Sequence, residues 1–546
     1  MSGLSVTATG DAARAVSTHV TSLVADRVAS RVAAQEADLW GPAAADEAGK
    51  RLGWVDVASR SADLPGRVAS LREELAAEGV DRVVLCGMGG SSLAPEVITA
   101  TAGVPLVVLD GTDPGQVRRA LDEGLERTVV VVSSKSGGTV ETDSQRRAFV
   151  EAMTAAGVDA ARRVVVVTDP GSPFSQMARD EGYRALFEAD PDVGGRYSAL
   201  TAFGLVPAGL AGADVQQLLD EAAEALQVLA ADDEGNPGLR LGAALGGTDP
   251  LRDKLVLVED GTSLRGFGAW AEQLVAESTG KEGTGLLPVV VAGTGSPEVA
   301  SPPSDALVVR LVADDADGSD AAAAAEVRTS GSLGGQMVLW ETAVAVAGRL
   351  LGINPFDQPD VESAKQATRE LLEGSPETEE PLAVDGDVEI RGTSEVAGAA
   401  TLEEAVDALL AQLAQVDGDR GYLAVMAYLD READADLEGV REDLATRTGR
   451  PVTFGWGPRF LHSTGQYHKG GPATGVYLQV TSEPAGEDLP IPDRPFTFGG
   501  LQRAQAAGDA AVLADHGRPV LRLHLTDRSA LGRLRAVLAG ADGPTR

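Results

Sequence analysis

Two apolar patterns alternate along most of this chain. Short unbroken runs, such as Arg82-Val-Val-Leu-Cys86 and the stretches 128–133 and 164–167, predict strands buried on both faces. Longer stretches with apolar residues three and four apart predict the helices that cover them. Between 80 and 231 the order is strand 82–86, a helix from about 94, strand 106–109, helix 116–125, strand 128–133, a helix running through 150, strand 164–167 and helix 214–229. Strands near 255, 287 and 307 then alternate with helices from 266, over 335–350 and over 361–372. After a charged stretch at 370–380 the alternation resumes, with strands at 422–426, near 452 and 477 and at 520–525, and helices at 402–413, 437–445 and 529–538. Strands alternating with helices imply parallel sheets flanked by helices, with ligands at the carboxyl ends of the strands.

The periodicity also sets the expected division. Val16, Val20, Leu23, Val24, Val28 and Val32 give residues 1–60 a helical spacing, read as helices covering the first sheet. The polar break Asp232-Asp-Glu-Gly-Asn-Pro237 separates a first α/β unit at 61–231 from a second at 232–375, and the charged linker precedes a third at 376–546. The fold class is α/β: two doubly wound parallel-sheet domains and a C-terminal α/β domain.

Length changes this picture little, since 546 residues suit several domains. Charge excludes more. A net charge of −36 argues against binding nucleic acid or an anionic membrane through a basic surface, so an anionic small molecule requires a local cationic pocket. The single cysteine, Cys86, precludes an intramolecular disulfide and fits a reducing compartment. With no leader-like start and no apolar run near twenty residues, the expectation is a soluble, cytoplasmic protein.

Three stretches carry candidate chemistry. Gly87-Met-Gly-Gly-Ser-Ser92 joins a strand to a helix, where backbone N–H groups converge on an anion; a ligand-free tight turn reads equally well there. The loop after the third strand offers the hydroxyls of Ser134, Ser136 and Thr139 and the cation of Lys135 at a helix start, more than N-capping requires and suited to a phosphate monoester. In Trp270-Ala-Glu-Gln-Leu-Val-Ala-Glu-Ser-Thr-Gly-Lys281 the helical repeat puts Gln273 and Glu277 on one face. A carboxylate beside an amide suits a general base moving a proton between carbons; alone, the stretch reads as well as a solvated face. No cluster has metal-ligand spacing, and neither metal nor cofactor is expected.

These stretches, with Val193-Gly-Gly-Arg-Tyr-Ser198 and Phe356-Asp-Gln-Pro-Asp-Val-Glu-Ser-Ala-Lys365, follow one another as the signatures of phosphoglucose isomerases do, and the region from about 80 to 372 resembles that family. The resemblance implies two sugar-isomerase (SIS) domains and interconversion of glucose 6-phosphate and fructose 6-phosphate through a cis-enediol. It implies phosphate binding by Ser134, Ser136 and Thr139 with Gly90, Ser91 and Lys135, a base at Glu277, enediolate stabilisation by Arg196, substrate contact by Gln273 and ring opening by Lys365. It also implies a homodimer with a small sugar phosphate as its ligand.

Two positions depart from the family pattern. Asp360 stands where a glycine is usual, and Gly334-Gly-Gln-Met337 aligns with Asn-Gly-Gln-His, so that methionine replaces the ring-opening histidine. The third domain resembles the C-terminal part of transaldolase–phosphoglucose isomerase fusions and of actinobacterial isomerases of this length. Its segment Leu461-His-Ser-Thr-Gly-Gln-Tyr-His-Lys-Gly-Gly471 offers His462 and His468 as replacements, from the same chain or a neighbouring one, or as idle surface histidines. Two other readings stay open: an isomerase that also accepts mannose 6-phosphate, and a non-catalytic SIS-domain sensor, for which Glu277, Arg196 and Lys365 would be superfluous.

Overall fold

Three sheets carry the chain. The computed structural model describes residues 3–313, 325–373 and 380–540, without the side chains of 361–365 and 373. The first sheet is wholly parallel, in the spatial order Val107–Leu109, Arg82–Gly87, Thr128–Ser133, Val164–Thr168, Ala185–Glu188. Its strands Thr128–Ser133 and Val164–Thr168 are valine runs buried along their whole length, as a sheet covered on both faces requires. The second sheet has the order Ser5–Thr9, Glu326–Ser330, Ala306–Val312, Lys254–Asp260, Leu287–Val290, parallel except for its first strand.

The N-terminal segment differs from expectation. It opens with the strand Ser5–Thr9, antiparallel to Glu326–Ser330, and the following helix Gly10–Ala25 packs on the helix Pro237–Gly246. Residues 5–25 therefore extend the second sheet instead of covering the first, while the later part of the segment reaches the first unit, where Trp54 stacks on Tyr197 and Arg60 pairs with Asp190. The Arg240 side chain donates to the Val6 carbonyl and Arg252 pairs with Asp11, which ties the segment to the second unit. Cover for the first sheet comes in part from Ala202–Ala211, an apolar run buried up to Leu210 and without a polar face, on which Leu64–Ala77 packs.

The third sheet, in the order Ala383–Asp385, Val388–Gly392, Val520–Leu525, Gly475–Ser482, Tyr422–Tyr428, Val452–Trp456, is parallel across its last four strands and antiparallel at its first edge. The predicted linker begins inside the helix Val361–Glu373, and its residues 374–379 lie outside the described residues.

Packing and charge both fix the third unit in place. Val256, Leu287 and Val289 of the second sheet share one buried cluster with Tyr422, Tyr467 and Tyr477 of the third unit. Ile491, Phe498 and Leu501 close over Val117 and Ala148 of the first unit. Arg459 reaches Glu96 at 2.6 Å and Asp110 at 3.0 Å, and Arg441 reaches Glu298 at 2.7 Å where both are buried. Among the described residues no helix is long and apolar enough to cross a membrane.

Candidate active site

The helix Phe267–Thr279 is the spine of the site. Phe267 and Trp270 stack edge-on at 5.2 Å, and Phe267 meets Trp340 at 5.9 Å, each such pair contributing about 0.5–1.5 kcal/mol beyond its burial. The helix thereby presents Gln273 and Glu277 inward, 3% and 5% exposed. Thr279 ends it by donating to the Val275 carbonyl and accepting from the Leu286 N–H. Gly280 is required next, because a Cβ there would lie 2.5 Å from Tyr467 Cα of the third unit.

Arg196, on the turn Gly195–Tyr197, spends its whole guanidinium at this helix end. Its Nε donates to Ser278 Oγ at 2.8 Å, and its Nη2 to the carbonyls of Pro355 and Asp357 at 2.8 and 2.9 Å. Its Nη1 donates to Gln358 Oε1 at 2.5 Å and lies 3.5 Å from Glu277 Oε2. Lys281 clamps the same turn from the other side, donating to the carbonyls of Asn354 and Asp357 and to the Asp357 carboxylate at 2.6–2.7 Å. Burial, reinforced by the charge of Arg196, pushes the Lys281 ammonium down to about 8 despite the opposing Asp357.

The first of the two glycine-rich loops at the strand ends of the first sheet packs on this centre. Gly90 packs on Gly195 so closely that a Cβ would overlap the Gly195 carbonyl, which sets the Arg196 turn against the loop carrying Ser91. In the second loop the hydroxyls of Ser134 and Thr139 lie 2.8 Å apart, the Gly137 N–H donates to Ser134 Oγ, and the exposed Ser136 accepts from the Gly138 N–H. Thr139 precedes the helix Val140–Ala155, so these hydroxyls stand at a positive helix end. The Lys135 ammonium is 2.7 Å from Asp169, and burial holds it below its ordinary range.

His462 and His468 have different surroundings. His462, on the turn Arg459–His462, brings Nε2 within 3.3 Å of Glu141 Oε1 in the first turn of the Val140–Ala155 helix. Glu141 also accepts from Gln505 Nε2 at 2.6 Å. Gly89 stands between Gln273 and His462: a Cβ on it would lie 2.8 Å from Gln273 Nε2 and 3.0 Å from His462 Cβ. His468 instead packs its ring 5.2 Å from Tyr477 and 6.0 Å from Tyr422, and burial pushes it down to about 3. The expectation that His468 serves catalysis is therefore corrected. It is a neutral side chain in the aromatic core of the third unit. Met337 is fully buried in the main core.

Lys365 lies on the helix Val361–Glu373, its side chain outside the described residues. Asp360, just before that helix, accepts at Oδ2 from Gln466 Nε2 at 2.7 Å. A cavity of about 670 Å³ opens elsewhere on the Phe267–Thr279 helix, bounded by Glu272, Arg459 and Ser463 among others. Glu272, pushed up to about 7 by burial, accepts from Ser463 and lines that cavity.

Residues 61–282 match the phosphoglucose isomerase family model. A glucose-6-phosphate isomerase of Rubrobacter xylanophilus is 30% identical over 363 residues, spanning 54% of this chain and 83% of its own. The chain belongs to the phosphoglucose isomerase family. A probable glucose-6-phosphate isomerase of Natronomonas pharaonis is 31% identical over 341 residues, covering 54% of this family member and 79% of the relative. Among solved structures, a hypothetical protein of Thermus thermophilus superposes with a TM-score of 0.56 at 27% identity, over 68% of this chain and all of its own. A glucose-6-phosphate isomerase of Chlamydia trachomatis shares the fold, with a TM-score of 0.50 at 22% identity over 57% of this chain and 72% of its own. The matched family region ends at 282, before the 354–360 turn, Lys365 and the third unit. Lys281, Glu141, Gln505 and Gln466 were assigned no role from sequence: the first two lie inside recognised motifs, and nothing in the spacing of the others signals their partners.

Proposed function

We propose that this chain interconverts glucose 6-phosphate and fructose 6-phosphate through a cis-enediol. One observation carries the reading: a buried carboxylate, Glu277, faces a buried guanidinium, Arg196, at 3.5 Å beside Gln273. Glu277 takes the proton from C2 of the aldose and returns it to C1, or the reverse. Arg196, always protonated and held by its own hydrogen bonds, answers through its fixed charge the negative charge that develops on the enediolate oxygen. Ser134, Ser136 and Thr139, with Gly90, Ser91 and Lys135, hold the phosphate at the helix end, and Gln273 orients a sugar hydroxyl. His462, backed by Glu141, is the ring-opening acid–base group, and Lys365 assists at the same oxygen. A sensor would need the phosphate loop and leaves the Arg196–Glu277 pair without a task.

Phosphorylated sugars and a buried lone cysteine accord with a cytoplasmic setting. The test is a coupled assay of the purified protein with fructose 6-phosphate beside Glu277→Gln. Turnover that falls by about 10²–10⁴ in the variant supports the reading. Sugar-phosphate binding without wild-type turnover would overturn it.

A further inference from the structure

Three short pieces of chain that are distant in sequence meet at one buried amide. Gln466 lies on the six-residue helix Gly465–Gly470 of the third unit and is fully buried. Its Nε2 donates to the Gly280 carbonyl at 2.9 Å and to Asp360 Oδ2 at 2.7 Å, and its Oε1 accepts from the Asp360 N–H at 3.0 Å. The amide has only one workable orientation, because a carbonyl and a carboxylate need the NH₂ and a backbone N–H needs the oxygen. Both of its donors and its acceptor are thus engaged.

The elements it joins are those that carry the chemistry. Gly280 ends the helix bearing Gln273 and Glu277, and Asp360 follows the turn held by Arg196 and Lys281 and precedes the helix bearing Lys365. The segment that delivers Gln466 also delivers His462 to Glu141. Neighbouring contacts hold it rigid: the Gly283 N–H donates to the Gly470 carbonyl at 2.9 Å, and Lys469 pairs with Asp509 at 2.6 Å where both are buried. Gly470 itself approaches the Asp360 carboxylate so closely that any side chain there would collide with it.

We propose that Gln466 is a positioning residue. Through it the third unit fixes the end of the base-bearing helix against the start of the lysine-bearing helix and registers His462 to both. The inference rests on the isomerase reading above and concerns a residue that touches no reacting atom.

The test is a pair of substitutions assayed on the full chain. Gln466→Glu sets a carboxylate against Asp360 and the Gly280 carbonyl, and kcat is expected to fall more than tenfold with KM for fructose 6-phosphate within threefold of wild type. Adding Asp360→Asn restores a donor to that carboxylate while the 360 N–H still serves it, and kcat is expected to recover at least fivefold. Unchanged kcat in Gln466→Glu overturns the proposal. So does a loss that Asp360→Asn fails to recover, or one that follows a parallel fall and rise of the melting temperature, since both mark a packing role. Wild-type turnover tests the isomerase reading separately. A wild type without turnover overturns the isomerase reading and the proposal with it, whereas unchanged kcat in Gln466→Glu beside an active wild type overturns the proposal alone.

Discussion

The guanidinium of Arg196 and the carboxylate of Glu277 face each other at 3.5 Å, with both residues closed to solvent. At that depth a charge acts through little water, so a fixed cation beside a developing oxyanion is worth far more than at the surface. Arg196→Lys keeps the charge but loses the fork that also reaches Ser278, Gln358 and two carbonyls. The expected result is a fall in kcat of about 10²–10³. Steady-state kinetics with fructose 6-phosphate decide it, and a change below threefold would remove Arg196 from the mechanism.

His462 makes a sharper prediction, because ring opening and proton transfer can be separated by substrate. Its Nε2 faces Glu141, and its Cβ and the Gln273 amide both lie against Gly89. In His462→Ala, turnover of fructose 6-phosphate is expected to drop about 10²-fold or more, as for loss of a general acid–base group. 5-Deoxyfructose 6-phosphate lacks the hydroxyl that closes the furanose ring, and its turnover is expected to stay near wild type. Equal losses on both substrates would contradict ring opening by His462.

How far the sequence could be read follows from where each pairing is made. Thr128–Ser133 and Val164–Thr168 of the first sheet are valine runs, whose burial on both faces leaves no second reading. The edge strands Ser5–Thr9, Ala185–Glu188 and Ala383–Asp385 escaped notice because they are short and mix polar with apolar residues. Ala202–Ala211 escaped because it is apolar on every side and shows no period. Within the site, Gln273 and Glu277 were legible because one helix holds them. The pairs His462–Glu141 and Gln466–Asp360, 321 and 106 residues apart, were not, because they depend on how the third unit docks. His468 was misread for the same reason: only the fold shows the tyrosines around it.

That tyrosine setting predicts a pH dependence of stability. His468 is held down to about 3 by burial, whereas the unfolded chain protonates it near the ordinary 6.5. Between those values the unfolded state binds the extra proton. Its contribution to stability is therefore complete above about 6.5 and is lost as pH falls, by up to about 1.4 kcal/mol per pH unit. Urea unfolding at pH 7 and pH 5 should show wild type losing more stability than His468→Phe, which fills the same aromatic site without a titrating group. Equal losses would mean that His468 is protonated in the fold. The activity of His468→Phe is expected within twofold of wild type.

Lys281 predicts the opposite limb, in activity. Its ammonium serves three acceptors on the turn 354–357, which Arg196 grips from the other side, and Glu277 and Asp357 are the carboxylates near it. Burial brings its titration down to about 8. Below that pH three N–H donors are present; above it the neutral amine has two and cannot satisfy all three acceptors. The turn that orients Arg196 and precedes Lys365 then loosens, so kcat is expected to decline on the alkaline side with an apparent pKa near 8. Lys281→Met removes the titrating group, which should lower kcat throughout and flatten that limb. A limb of the same midpoint in Lys281→Met would assign the titration to another group.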